Sequence, residues 1–132
     1  MKRTTVTLLV MVLLVLATGT AYAAHSHFNG PWRSIDIDGS QQQMNIGGGN
    51  KDIFRITLVD HAASFCEGLP ILGKGTGQIG SDGVLHTDID FRCLGGLEKS
   101  IADIDYLLAY DEANDTLTDA WGVIWHRTRH NP

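Results

Sequence analysis

The sequence predicts an all-β fold, an antiparallel meander of about eight short strands closing into a small barrel. Three observations carry this. Apolar and polar residues alternate over short runs, turn-forming clusters interrupt those runs about every ten residues, and no repeat or low-complexity block breaks the pattern. Each connection spans only a few residues, so sequential strands pair with their neighbours. Closure removes the exposed edges that would invite aggregation, and an open β-sandwich is the alternative.

The first strand, residues 32–38, carries Trp32 and ends in Asp36-Ile37-Asp38-Gly39-Ser40, where Asp38-Gly39 supplies turn chemistry. This stretch looks like an acidic calcium loop, but an EF-hand needs further oxygen ligands and a Glu at its twelfth position. Here Gln41-Gln42-Gln43 and Met44 follow instead. The second strand, 42–46, leads into Gly47-Gly48-Gly49-Asn50. The third, 53–59, carries Phe54, Ile56 and Leu58 on one face and runs into a turn at Asp60-His61. The fourth, 72–79, alternates Gly73, Gly75 and Gly77. On a strand this marks a bend or bulge, or a face cleared for a large neighbour. Walker spacing is missing and no helix follows, so these glycines do not form a phosphate cradle.

After Gly80-Ser81-Asp82-Gly83, the fifth strand, 84–93, sets His86, Asp88 and Asp90 opposite to Thr87, Ile89 and Phe91. Leu94-Gly95-Gly96 connects it to the sixth, 101–110. Leu97, Ile101, Ile104 and Leu108 fit helical spacing, but Ile104, Tyr106, Leu108 and Tyr110 also alternate, and Tyr-rich alternation favours a strand. The turn 111–115, a short piece around Leu117 and the strand 122–127 complete the set. The turn contains Asn114-Asp115-Thr116, a glycosylation sequon that has meaning only in a eukaryotic source.

The N-terminus reads as an export signal over residues 1–23. Lys2 and Arg3 are followed by an apolar run, 6–17, broken only by Thr7, and Ala21-Tyr22-Ala23 provides small residues for cleavage after Ala23. That run is well short of the roughly 20 residues that cross a bilayer. Residues 24–29 then form a flexible tail and 30–132 a single β domain in a secreted or periplasmic protein with no stable membrane anchor. Cleavage removes two cations and no acid, leaving 8 Lys and Arg against 15 Asp and Glu, a net charge of −7. Nucleic acid needs a cationic footprint, so that class of partner is excluded, as are anionic membrane surfaces.

Small domains commonly need a staple. Cys66 and Cys93, in an exported chain, are expected to form a disulfide closing a loop worth roughly 3–4 kcal/mol. No Cys-x-x-Cys pair exists to suggest redox or metal chemistry.

Gly30-Pro31-Trp32 on the first strand resembles the Gly-x-Trp that opens the calycin superfamily of lipocalins, avidins and relatives, with Arg127 near the last strand as the cation packed over that tryptophan. The resemblance covers the two ends of the chain. It implies an eight-stranded up-and-down barrel, in most members holding a ligand cavity, with Trp32 and Arg127 packed at one barrel end. In size the chain also resembles bacterial protease inhibitors, small secreted barrels with one disulfide.

Four constellations could carry chemistry. If the connection places Asp90 across from Asp103, then Asp88 lies across from Asp105. Directly opposed like charges are destabilising, so such a ladder would need Arg33, Arg55 or Arg92 nearby, or a hard cation such as Ca²⁺. A register offset by one or two residues would leave a solvated outer face. His25 and His27, beside a new N-terminus, form a weak metal candidate, with His126 and His130 at the other terminus. Ser64, Ser81 and Ser100 lack a nucleophile elbow, and His61 and His86 have no assignable partner. Paired carboxylates suggest glycoside chemistry only where a cleft exists.

The expectation is therefore a secreted, non-catalytic binding module that recognises a small apolar ligand or an extracellular protein. A protease-inhibitor-like protein is one alternative, and a hydrolase or metal-binding protein using acidic and His residues is another. Trp32, Phe54, Ile56, Leu58, Ile89, Phe91, Ile104, Tyr106, Leu108, Trp121 and Trp125 are the inward candidates. An eight-stranded barrel has little spare volume, so these side chains are expected to fill it.

Overall fold

Inward apolar positions at every second residue force each strand to present one face to a common core, and eight such strands close on themselves. The computed structural model describes residues 27–49, 52–95 and 100–128, with backbone alone for 100–103. The strands are β1 (Gly30–Ile35), β2 (Gln41–Gly48), β3 (Phe54–Asp60), β4 (Ile71–Ile79), β5 (Leu85–Cys93), β6 (Ser100–Asp111), β7 (Thr116–Asp119) and β8 (Ile124–Arg127). Each pairs antiparallel with the next, and β8 returns to β1 through Trp32 opposite Arg127 and Arg33 opposite His126, closing the barrel. The first strand is shorter than expected. Asp36 N–H donates to Ser40 O and Gly39 N–H to Asp36 O, so the turn begins at Asp36 and draws its residues out of the ladder.

The glycines of β4 answer a packing demand. A Cβ on Gly73 would lie 2.5 Å from the Phe91 ring, and one on Gly75 only 1.8 Å from the Asp88 carbonyl oxygen. Gly73 thus clears the face for Phe91, and Gly75 lets the backbones of β4 and β5 approach where the wall curves. The strand assignment of residues 101–110 stands, since β6 pairs with both β5 and β7.

Because the topology is a meander, alternate connections gather at the same end. The β1–β2, β3–β4 and β7–β8 connections share one end with the disulfide, Cys66–Cys93, whose Cα atoms are 5.6 Å apart. A disulfide fits an oxidising compartment. It ties the 3₁₀ turn Ser64–Cys66 of the β3–β4 connection to the end of β5. Among the described residues, no helix is long and apolar enough to cross a membrane.

Phe28, within the stretch 24–29 expected as a tail, is 3 % exposed and packs in the core at 6.1 Å from the rings of both Phe54 and Tyr110. Burying an aromatic ring there seals a barrel end that the strands alone leave open. Trp121, expected inside, is 54 % exposed. It lies in the β7–β8 connection, where the strand alternation no longer applies, with its ring 5.0 Å from that of Tyr106.

Candidate functional site

The two ends of the barrel are built differently. One is plugged. Trp32, 1 % exposed, donates its indole N–H to Phe28 O at 2.9 Å, and the Arg127 guanidinium carbon sits 4.1 Å from the Trp32 ring centroid. That stacking is a cation–π contact in a partly desolvated place. The guanidinium also donates through Nε to Asp115 Oδ1 at 2.9 Å, through one terminal nitrogen to His27 O, and through the other to Asn29 O. Gly30 explains itself here. Its φ of +129° suits glycine, and a Cβ would stand 2.8 Å from the guanidinium.

The other end is a mouth. A cavity of about 390 Å³ opens there, floored by Leu58, Ile71, Phe91, Ile104, Tyr106 and Val123 and rimmed by Ile37, Phe65 and Trp121. The expectation of a filled barrel thus fails at this end. The reason lies in what occupies the inward positions: where the strands reach the mouth, the series Met44–Gln42, Leu58–Asp60 and Leu117–Asp119 changes from apolar to polar side chains. The volume lies in the range of small-molecule sites.

Asp119 organises one side of the mouth. Its Oδ1 accepts the N–H groups of Trp121 at 3.0 Å and Val123 at 2.9 Å, and its Oδ2 accepts the Tyr106 hydroxyl at 2.6 Å and the Trp125 indole N–H at 3.2 Å. Burial, and then the Asp119 carboxylate that accepts its proton, hold the Tyr106 hydroxyl far above the ordinary tyrosine range. Asp60 Oδ1 accepts the Ala62 N–H at 3.0 Å, and its Oδ2 accepts the side-chain amide of Gln42 at 3.3 Å. Asp38, across the rim, is held below the usual carboxylate range by hydrogen bonds from Ser40 and Ser64. Asp36 is pushed the other way, first by burial and then by the charges of Asp38, Asp60 and Asp119, against one hydrogen bond from the Ile37 N–H.

The outer wall realises the opposed acidic register: Asp88 faces Asp105 and Asp90 faces Asp103 across β5 and β6. Arg92 donates to Asp90 at 3.0 Å, and Lys74 stands opposite Asp90 on β4. The side chain of Asp103 lies outside the described residues. Arg55 and Asp88 stand two strands apart, both opposite Thr76. Asp88 and Asp105 line a shallow depression of the outer wall with His86, which pairs instead with Asp82 at 3.0 Å. No group of three or more His, Cys, Asp or Glu able to hold a metal ion occurs among the described residues. His25 and His130 lie outside them. His27 packs edge-on to Tyr110 with centroids 4.9 Å apart, while His126 stands opposite Arg33 on the β1–β8 seam, next to the Trp32–Arg127 pair. Asn114 is exposed in the β6–β7 turn, its side-chain amide donating to Asp111.

Gln42, Asp36, Asp60 and Asp119 were not singled out from the sequence as one site. A signal existed for three of them: Gln42, Asp60 and Asp119 fall on the inward parity of their strands, where a polar residue interrupts an apolar series. These features define a closed eight-stranded antiparallel up-and-down barrel with one plugged end and one open, acidic, apolar-floored mouth. Comparison with protein-family models, curated proteins and solved structures found no match.

Proposed function

We propose that this chain is a secreted, non-catalytic binding protein of calycin-like type, whose barrel mouth takes a small molecule with an apolar body. The observation that supports it most directly is the asymmetry of the ends. One is filled by Phe28, Trp32, Phe54 and Arg127, and the other keeps a cavity of about 390 Å³ with an apolar floor. Ile37, Phe65 and Trp121 are 79, 82 and 54 % exposed around that opening, an apolar collar that a bound molecule would cover. The export signal and the disulfide support an extracellular or periplasmic setting. Calcium on the acidic face of β5 and β6 plays no part in this reading.

The test is titration with N-phenylnaphthylamine, a neutral apolar dye, followed by dye emission and by quenching of Trp121, the exposed one of the three tryptophans. Saturable one-to-one binding is expected, weakened by Ala63→Phe, which fills the cavity wall, and by Trp121→Ala. Absence of saturation, or binding indifferent to both substitutions, overturns the proposal. A second reading, recognition of a protein partner by the rim, is favoured by Phe65, which stands out on the disulfide-tethered turn. It predicts that Phe65→Ala abolishes partner binding while weakening dye binding no more than Trp121→Ala does.

A further inference from the structure

We infer that the molecule taken by the mouth is a cation, an apolar body carrying a protonated amine whose N–H groups are received by Gln42 Oε1 and by the carboxylates of Asp36 and Asp60. This rests on the mouth being the ligand site and states what that site selects.

The first observation is an unpartnered acceptor. Gln42 is 8 % exposed and lines the cavity. Its amide nitrogen is committed to Asp60 Oδ2, which sets the orientation of the amide, and its buried Oε1 has no hydrogen-bond donor among the described residues. Buried polar atoms are nearly always satisfied, so an acceptor held beside a cavity without a donor is waiting for one. A hydroxyl or an N–H can serve, whereas a carboxylate or an aliphatic chain cannot.

The second observation is the charge of the lining. Asp36, Asp38, Asp60 and Asp119 line the cavity, and among the described residues no Lys, Arg or His does. Two of these acids are occupied by the fold. Asp119 receives four donors from the β7–β8 connection, Tyr106 and Trp125, and Asp38 is bonded to Ser40 and Ser64. Among the described residues Asp36 receives one hydrogen bond, from a backbone N–H, and Asp60 two, and a carboxylate can accept more than that. Burial and three neighbouring carboxylates make the ionised form of Asp36 costly, a cost that an adjacent positive charge relieves.

The third observation separates an organic cation from a metal ion. No three acidic, His or Cys side chains among the described residues are placed to share a metal. The acceptors instead stand around an apolar floor, which suits a polyatomic cation with several N–H groups and a hydrocarbon part seated against Leu58, Ile71 and Phe91.

The experiment compares octylamine, octanol and octanoate, ligands of one chain length and three charges, by calorimetry and Trp121 fluorescence at neutral pH. Octylamine is expected to bind at least about tenfold more tightly than octanol, octanoate more weakly than either, and the advantage of the amine to shrink as salt is raised. Asp36→Asn should weaken octylamine by roughly five- to tenfold and octanol by clearly less, and Asp36→Lys should place octanoate above octylamine. If the three ligands bind equally, or the amine shows no salt dependence, the charge inference is overturned while the mouth stands as an apolar site. If none binds, the proposed function falls with it.

Discussion

At the plugged end Asp115 meets Arg127, and the guanidinium covers Trp32. At the mouth four aspartates line a cavity with no basic residue among the described ones, and Trp121 lies open to solvent. Both ends use aspartate and tryptophan, yet in one the charge is neutralised and the ring buried, and in the other neither is. The plugged end is not wholly satisfied, since Asn29 Oδ1 is buried without a donor, but Asn29 does not face the cavity. The difference teaches that burial and pairing, and not residue type, separate the part of this barrel that holds it together from the part it leaves open to solvent.

The largest expected effect tests that separation directly. Trp32→Ala should cost about 3–5 kcal/mol, as a buried aromatic truncation does, whereas Trp121→Ala should cost about 1 kcal/mol or less, mostly its contact with Tyr106. Urea unfolding of both variants checks this, and equal losses would break the comparison. A smaller effect comes from Tyr106, at the boundary between core and mouth. Its folded pKa is raised, so its stabilisation is complete below the unfolded value of about 10 and is lost as pH climbs beyond it. Tyr106→Phe should therefore cost about 1–2 kcal/mol at neutral pH and flatten the alkaline limb of a stability-versus-pH profile. The smallest effect has the opposite sign. Because the pKa of Asp36 is raised, its charge opposes folding above about pH 4, and acidification through its folded value removes that opposition. Asp36→Asn should stabilise the protein at neutral pH by roughly 0.5 kcal/mol or less, given its solvent screening. A thermal melt that shows Asp36→Asn destabilised would mean that this carboxylate serves the fold and not the mouth.

Much of the architecture was legible in the chain. Alternation placed Phe54, Ile56 and Leu58 of β3 and Ile89 and Phe91 of β5 inward, because strand geometry makes side-chain direction a matter of parity alone. The turn at Asp36–Ser40 and the face cleared at Gly73 were legible from equally local signals. Trp121 was misplaced because parity has no meaning in a connection. Phe28 was missed because it lies before the first strand, in a stretch with no period to follow.

The candidate site was less legible. The acidic ladder on β5 and β6 stood out in the sequence because its members lie at every second position, although Asp88, Asp90 and Asp105 face outward. The acids of the mouth come from β1, β3 and β7 and their turns, far apart in the chain, and each alone reads as a turn or strand-end residue. Strand number and strand facing follow from short-range alternation and turn chemistry, which each segment carries within itself, and the cysteine pair from there being two cysteines in a chain that reads as exported. Which end is plugged, which is open, and that Gln42, Asp36, Asp60 and Asp119 face one cavity depend on closure of β8 against β1 and on the shared side of alternate connections, relations that exist only once the whole meander has wrapped into a barrel.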